Sequence, residues 1–395
     1  MKLNQLVLLG LTMALAFGSK SMMEPLVPLY GLALGASPAM VGLLVSAAFL
    51  LPLFLAIPTG ALVDRWGSRE LITAAAAALA AAELAVMLVP GLLTLALAQV
   101  VIGLCQLTLA VAAQVFVATL DSGKSRETNF GWYTTFLSAG QLAGPLLAGV
   151  VADQVGYSAG FGLASVIAAA AALVSRFLVP GKQLQLVKES MGLWGGKGHL
   201  RAVLSKAGVQ VAILLTFGIL FGLSVFQTFF PVYLDELAYS ATTIGVLISL
   251  RPLTAMLVRP FISSIVRIFG SHTRTAGATV LLVALGLATT SLVNSTATLV
   301  LASVLVGIGW GISQPFSMVM IVDHVRDAER GFALGIRLTG NRLAQFSSPL
   351  LFGLFAEFVS VRLTFVAAGI LVVTLAVLFF RMELKPLPKV EAGRR

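Results

Sequence analysis

The chain has 395 residues, 58% of them hydrophobic and only 11% charged. A soluble domain of that size carries about 25% charge, so a water-soluble enzyme or binding domain is excluded. What remains is a polytopic membrane protein, long enough for about a dozen spans of roughly 20 residues with short turns. The formal charge of +10 admits either a topology signal or a surface for nucleic acid or lipid headgroups, and the placement of the charges decides between them.

In chain order the apolar segments predict spans at 5–30, 38–62, 70–89, 93–118, 129–152, 158–179, 208–234, 241–264, 275–293, 297–321, 332–356 and 362–380. The expectation is an all-α membrane protein of twelve transmembrane helices. The first segment is too long, and too poor in a small-residue cleavage site, for a removed signal peptide, so it is taken as a retained span. Between the spans the basic residues gather on one side: Lys2, Arg65, Arg69, Lys124, Arg126, the stretch 176–206, Arg267, Arg274, Arg326, Arg330 and the tail from Arg381 to Arg395. The opposite loops carry Asp153, Asp235, Glu236 and Glu357, with Arg362 as their one base. This asymmetry is the positive-inside pattern. It puts both termini in the cytoplasm, makes the chain a multi-pass protein of a bacterial-type inner membrane, and leaves nucleic acid without a role.

The single cysteine, Cys105, falls inside a predicted helix, so no disulfide forms within the chain. His199, His272 and His324 are scattered through predicted cytoplasmic loops. Metal-ligand spacing, a nucleophile elbow and a phosphate-binding glycine loop are all missing from the sequence. No enzyme activity, metal or cofactor is expected, and an ATP-driven pump is disfavoured.

The chain also repeats itself. Pro28, Leu29 and Tyr30 return as Pro231, Val232 and Tyr233, and Ser37 returns as Ser240. The segment from Val41 to Ser46 returns from Ile244 to Ser249, and Gly67 and Ser68 return as Gly270 and Ser271, all at an offset of 203. Further on the offset is 204: Gly103 with Gly307, Arg126 with Arg330, Gly131 with Gly335, Gln141 with Gln345, Pro145 with Pro349, Gly149 with Gly353, and Asp153 with Glu357. One residue inserted in a loop accounts for the change. A six-helix unit therefore occurs twice, and both copies start from the cytoplasmic side because six is even. Two parallel halves about an axis normal to the membrane are expected: an N-terminal half over 1–180, a polar and basic cytoplasmic linker over 181–207, a C-terminal half over 208–381 and a cytoplasmic tail over 382–395.

The first dense cluster of charge is Gly60-Ala61-Leu62-Val63-Asp64-Arg65-Trp66-Gly67-Ser68-Arg69, between the second and third spans. With the repeat and the twelve spans, it resembles the signature loop of the major facilitator superfamily of transporters, roughly Gly-x-x-x-Asp-Arg-x-Gly-Arg-Arg. Gly60, Asp64, Arg65, Gly67 and Arg69 fit that pattern, and Ser68 stands at a position that is usually basic. The resemblance implies that Asp64 meets the cytoplasmic start of the eleventh helix and Arg126, latching the inner gate. A carboxylate at a helix N-terminus is favourable. In the second copy Arg267 replaces the acid. The fifth span holds Gly140-Gln141-Leu142-Ala143-Gly144-Pro145-Leu146-Leu147-Ala148-Gly149. Gly140, Gly144 and Gly149 give a smooth face for close helix contact, and Pro145 kinks the helix. This pattern resembles the antiporter motif of proton-driven drug exporters in the superfamily. One departure stands against it: many such antiporters carry an Arg early in the fourth helix, where this chain has Gln99.

Ionisable residues inside a membrane are functional candidates by default. Lys20 and Glu24 lie one turn apart on the first helix, Glu83 on the third, Arg251 on the eighth and Arg342 on the eleventh, beside Asn341 and Gln345. In the resembled fold the third helix is peripheral, which makes Glu83 a structural partner. Glu24, beside the cation Lys20, is the expected proton-coupling carboxylate. Arg251 and Arg342 are expected in the cavity rather than paired with acids, and with Gln141, Asn341 and Gln345 they would line the substrate site and suit an anionic or zwitterionic group. Arg259 and Arg337, nearer the cytoplasmic ends, would snorkel or gate. Phe226, Phe229 and Phe230 would supply apolar contacts or packing. The expected activity is proton-coupled efflux of a small amphiphilic molecule, such as a drug, a siderophore-like chelator or another secreted metabolite, by a monomer using alternating access. The alternatives are a symporter or facilitator importing a small organic anion, and a substrate-free membrane scaffold or sensor.

Overall fold

The computed structural model describes residues 2–120, 125–179, 203–270, 272–292, 295–325 and 330–383. Among them there is no strand; the chain folds as long helices joined by short turns. The reason is general: in hydrocarbon every backbone N–H and C=O must be satisfied within its own segment, and a helix does so. The helices are α1 (Lys2–Ala33), α2 (Pro38–Trp66), α3 (Ser68–Leu88), α4 (Leu92–Leu120), α5 (Ser125–Gln154), α6 (Tyr157–Ser175) and α7 (Ala207–Glu236). There follow α8 (Ala241–Phe269), which tightens to a 3-10 turn at Arg259–Phe261, then α9 (His272–Leu292), α10 (Thr296–His324), α11 (Arg330–Phe358) and α12 (Val361–Glu383).

Local chemistry sets the ends. Ser37 caps α2 by accepting from the Met40 N–H, with Pro38 at the first helical position. Its repeat mate Ser240 caps α8 in the same way, accepting from the Thr243 N–H at 3.2 Å. Gly67, at φ +92°, turns the chain from α2 into α3 in a backbone region that side chains avoid. Ser295 and Thr298 form a reciprocal capping box at the start of α10.

Ten of the described helices are long and apolar enough to cross a membrane, and α12 adds the shorter apolar stretch Val361–Leu375. Helix α11 has the length of a span but not its composition, because it carries Arg330, Arg337, Asn341, Arg342 and Gln345. The expected linker lies mostly outside the described residues, as does nearly all of the tail.

The chain divides into two compact units. The first comprises Met1–Lys188, Gln227–Leu253 and Pro349–Val361. Its centre is α1, packed on α5, α6, α4 and α2, with Leu9, Met13, Ala16, Met22 and Leu26 buried; α3 packs on α4 and α6. The second comprises Glu189–Phe226, Thr254–Ser348 and Arg362–Arg395. In it α9 packs on α10, and Phe226, Val283, Leu287, Phe365 and Val372 are buried.

Candidate functional site

The first unit holds a buried charge cluster. Glu24 of α1 is joined to Arg251 of α8, Nη2 to Oε2, at 2.6 Å, and to Lys20 one turn back at 3.8 Å. The side chains are 10% (Glu24), 4% (Arg251) and 20% (Lys20) exposed. The Gln227 amide of α7 lies against both partners. Its nitrogen is 3.3 Å from Glu24 Oε1, and turned the other way its oxygen accepts from the Arg251 guanidinium. Gln227 is the residue 203 positions after Glu24, so the acid and the amide are repeat mates facing each other. Prolines shape both sides. Pro28 of α1 and its mate Pro231 of α7 each remove the N–H that would have bonded the carbonyl four residues earlier, and those carbonyls belong to Glu24 and Gln227. The expectation that Arg251 stands apart from any acid is corrected here. One carboxylate is shared by two cations, and the sequence concealed this because the partners are 227 residues apart.

Close by, Glu83 of α3 is 0% exposed and takes the hydroxyl of Ser19, the residue before Lys20, at 2.6 and 2.7 Å from its two oxygens. Among the described residues no cation pairs with it.

The loop over 60–69 is the junction of α2 and α3. Arg69 Nη2 donates to the Arg176 carbonyl just after α6, at 2.8 Å. Arg65 is exposed and Asp64 half-buried. Asp64 makes no hydrogen bond or ion pair among the described residues, and the side chain of its expected partner Arg126 lies outside them. A Cβ on Gly60 would meet open space.

The glycine run of α5 is a packing surface. A Cβ on Gly140 would strike the Ala14 carbonyl, and one on Gly144 the Gly18 carbonyl, which explains how α5 lies so close along α1. Gly149 abuts the Ala241 carbonyl at the start of α8, and Gly245 of α8 abuts the Pro145 carbonyl. The repeat copies this contact: Gly353 faces Pro38, and Gly42 faces the Pro349 carbonyl. Beside each contact a carboxylate caps a helix. Asp153 at the end of α5 accepts from the Ala241 and Thr242 N–H groups of α8, at 2.8 and 2.7 Å. Glu357 at the end of α11 accepts from the Ala39 N–H of α2 at 3.0 Å and from the Ser37 hydroxyl at 2.6 Å. Sequence offset paired Asp153 with Glu357 but could not name the helices they cap.

Of the α11 candidates, Arg342 donates to Gln345 Oε1 at 3.0 Å and Asn341 is buried. Arg337 does not snorkel: it is 1% exposed and donates to Ser317 of α10 at 2.6 Å. Arg259 lies over the Trp310 ring, 5.8 Å from its centre. Gln141 is half-buried on α5. Phe226, Phe229 and Phe230 are all buried. Sequence reasoning missed Gln227, Ser19 and Ser317; the offset of 203 was the signal that would have found Gln227.

Among curated relatives, the quinolone resistance protein NorA of Staphylococcus aureus (strain Mu50 / ATCC 700699) is 23% identical over 356 residues, covering 89% of each chain. The NorA of strain MRSA252 is 22% identical over 355 residues, with the same coverage. Among solved structures, the nucleoside transporter NupG superposes with a TM-score of 0.83 at 14% identity, over 96% of this chain and all of that one. A bacterial homolog of the human lysosomal transporter Spinster, in an inward-facing unoccupied conformation, gives 0.78 at 14% identity over 96% of each chain. A POT family transporter in complex with 5-aminolevulinic acid gives 0.76 at 16% identity, again over 96% of each. The sequence model of the Major Facilitator Superfamily matches residues 9–233 and 212–395. A chain matched by that model along nearly its whole length, with a helical fold in its described residues that superposes on transporters, belongs to the Major Facilitator Superfamily of membrane transporters.

Proposed function

We propose that this protein is a proton-coupled exporter of a small amphiphilic molecule, working by alternating access as a monomer in a bacterial plasma membrane. Both termini face the cytoplasm, and the halves over 1–180 and 208–381 are joined by the linker over 181–207. The observation that carries the proposal is the buried ion pair of Glu24 and Arg251 with Lys20 at its edge. A carboxylate held this way has two stable arrangements. Ionised, it satisfies two cations; protonated, it releases the Arg251 guanidinium to substrate or water. Breaking a buried pair while leaving one charge uncompensated costs about 3–5 kcal/mol. Proton arrival and substrate exchange are therefore tied together, and coupling needs that tie. Export is supported by similarity to NorA, whose name records quinolone resistance, and by the Gly140, Gly144, Pro145 and Gly149 surface. Gln141, Arg251, Asn341, Arg342 and Gln345 would contact substrate, and Asp64, Arg65, Arg69 and Arg126, with Gly60 and Gly67 shaping the loop, would latch the cytoplasmic gate.

In inverted vesicles an imposed pH gradient should drive accumulation of an exported dye, and Glu24→Gln should abolish it. Undiminished gradient-driven transport in that variant removes Glu24 from the mechanism. The second reading, import of a small organic anion, is favoured by the two cations that surround one acid; uptake that persists with the gradient collapsed would select it.

A further inference from the structure

Helices α10 and α11 carry a second set of buried polar groups, all within the second unit and separate from the Glu24 cluster. Ser317 of α10 meets Arg337 of α11 at 2.6 Å. Gln314 lies one turn from Ser317 on α10 and Asn341 one turn from Arg337 on α11, each on the helix face that carries the bonded pair. Arg337 is 1% exposed and Asn341 5%. Arg337 Nε, Gln314 Nε2 and Asn341 Oδ1 have no partner among the described residues. Arg251, by contrast, has a carboxylate; Arg342 and Arg362 have the stronger neutral acceptors, an amide oxygen and the carbonyl of Ser291. Arg337 has one neutral hydroxyl and, among the described residues, no acid.

A guanidinium keeps its proton under all working conditions. It cannot become neutral to suit its surroundings, and a buried charge without a counterion is costly. What relieves it must bring negative charge and accept hydrogen bonds. The Nε edge of a guanidinium matches a carboxylate in two-point geometry. Gln314 adds a third donor, and the Asn341 amide can turn either face to the same place. We infer that the α10–α11 seam is the subsite for an anionic head group, a carboxylate by preference and a phosphate by the same chemistry, on the transported molecule. The substrate class is then an amphiphilic organic anion or zwitterion. This inference rests on the reading of the chain as a transporter, but it adds a residue that the coupling argument does not use.

The test uses the purified full chain in mild detergent, with no gradient, at fixed ionic strength. The probes are 1-naphthoate, its neutral amide 1-naphthamide, and inorganic phosphate, each read as a saturable rise in thermal midpoint. Naphthoate should raise the midpoint, phosphate should do so at higher concentration, and naphthamide should not. Arg337→Gln should raise the half-saturating naphthoate concentration by about tenfold or more, as loss of a charge-assisted bond implies, and Arg337→Lys should recover part of it. If Arg337→Gln does not fold, Gln314→Leu keeps the charge, removes one donor, and should weaken naphthoate several-fold. The proposal is overturned if naphthamide stabilises as well as naphthoate, if no anion acts, or if the half-saturating concentration is unchanged in Arg337→Gln, or in Gln314→Leu where that replaces it. Binding is read without a gradient, so a failure of proton coupling in vesicles leaves these outcomes untouched. Equally, loss of the anion effect leaves gradient-driven dye export to stand by itself.

Discussion

Glu24 and Glu83 show how the same residue type meets two different surroundings within one bundle. Glu24 is held between two cations, with Arg251 at 2.6 Å and Lys20 at 3.8 Å, whereas Glu83 has a hydroxyl and no cation among the described residues. Removing one partner of the first pair strands a charge, so Arg251→Gln should destabilise the protein by about 3–5 kcal/mol. The double variant Glu24→Gln with Arg251→Gln removes both charges of the short pair, leaving only the more exposed Lys20 without the carboxylate, and should be less destabilised than the sum of the single changes. Unfolding in detergent with rising denaturant measures all three, and simple additivity would mean that the pair is not coupled. Glu83→Gln keeps an acceptor for Ser19 and should change stability by no more than about 1 kcal/mol, with proton-driven transport intact. Loss of transport in a stable Glu83→Gln protein would make Glu83, not Glu24, the group to pursue. The sequence showed Lys20 one turn from Glu24 and no such neighbour for Glu83. It could not show the partners 227 and 64 residues away, Arg251 and Ser19, that complete the difference.

At the scale of helices, the repeat explains more than the motifs do. The glycine run of α5 looked like a family signature; in the structure it is half of a two-fold device. Asp153 caps α8 and Glu357 caps α2, each beside a glycine set on a proline carbonyl. The offset of 204 made the two acids mates, yet periodicity cannot show which helix a loop acid will reach. An acid cap at a helix N-terminus contributes about 0.5–2 kcal/mol. If these caps hold the ends of α5, α8, α2 and α11 together, Asp153→Asn should loosen that end by several-fold in population, and adding Glu357→Gln should loosen it further. A reporter is available in Val41, which is fully buried in α2. With Cys105→Ser and Val41→Cys in place, maleimide should label Val41→Cys several times faster in Asp153→Asn than in its parent. An unchanged rate would reduce the two acids to local caps with no share in opening. The loop over 60–69 makes the opposite point. Its family pattern was legible from five residues, but its described contact is Arg69 with the Arg176 carbonyl, and Asp64 has none among the described residues.

For the whole molecule, class was legible from composition because 11% charge leaves a chain of this length no soluble solution. Helix α11 is where composition misleads. Three arginines and two amides give it the length of a span without the apolarity of one, and of these Arg337 and Asn341 are buried and Arg342 and Gln345 half-buried. Orientation follows from a different quantity, the side on which lysine and arginine accumulate. It carries the functional argument, since it decides whether the Asp153 and Glu357 caps face the outside and the loop over 60–69 the cytoplasm. Single cysteines in a Cys105→Ser background test it directly. Val155, between α5 and α6, is 73% exposed, and Glu70, at the start of α3, is exposed. In intact cells an impermeant maleimide should label Val155→Cys and leave Glu70→Cys unlabelled until the membrane is opened. The reverse pattern would place the basic loops outside, against the charge rule, and turn the transport direction around: the Asp64 loop would then guard the outer mouth and the paired acid caps the inner one.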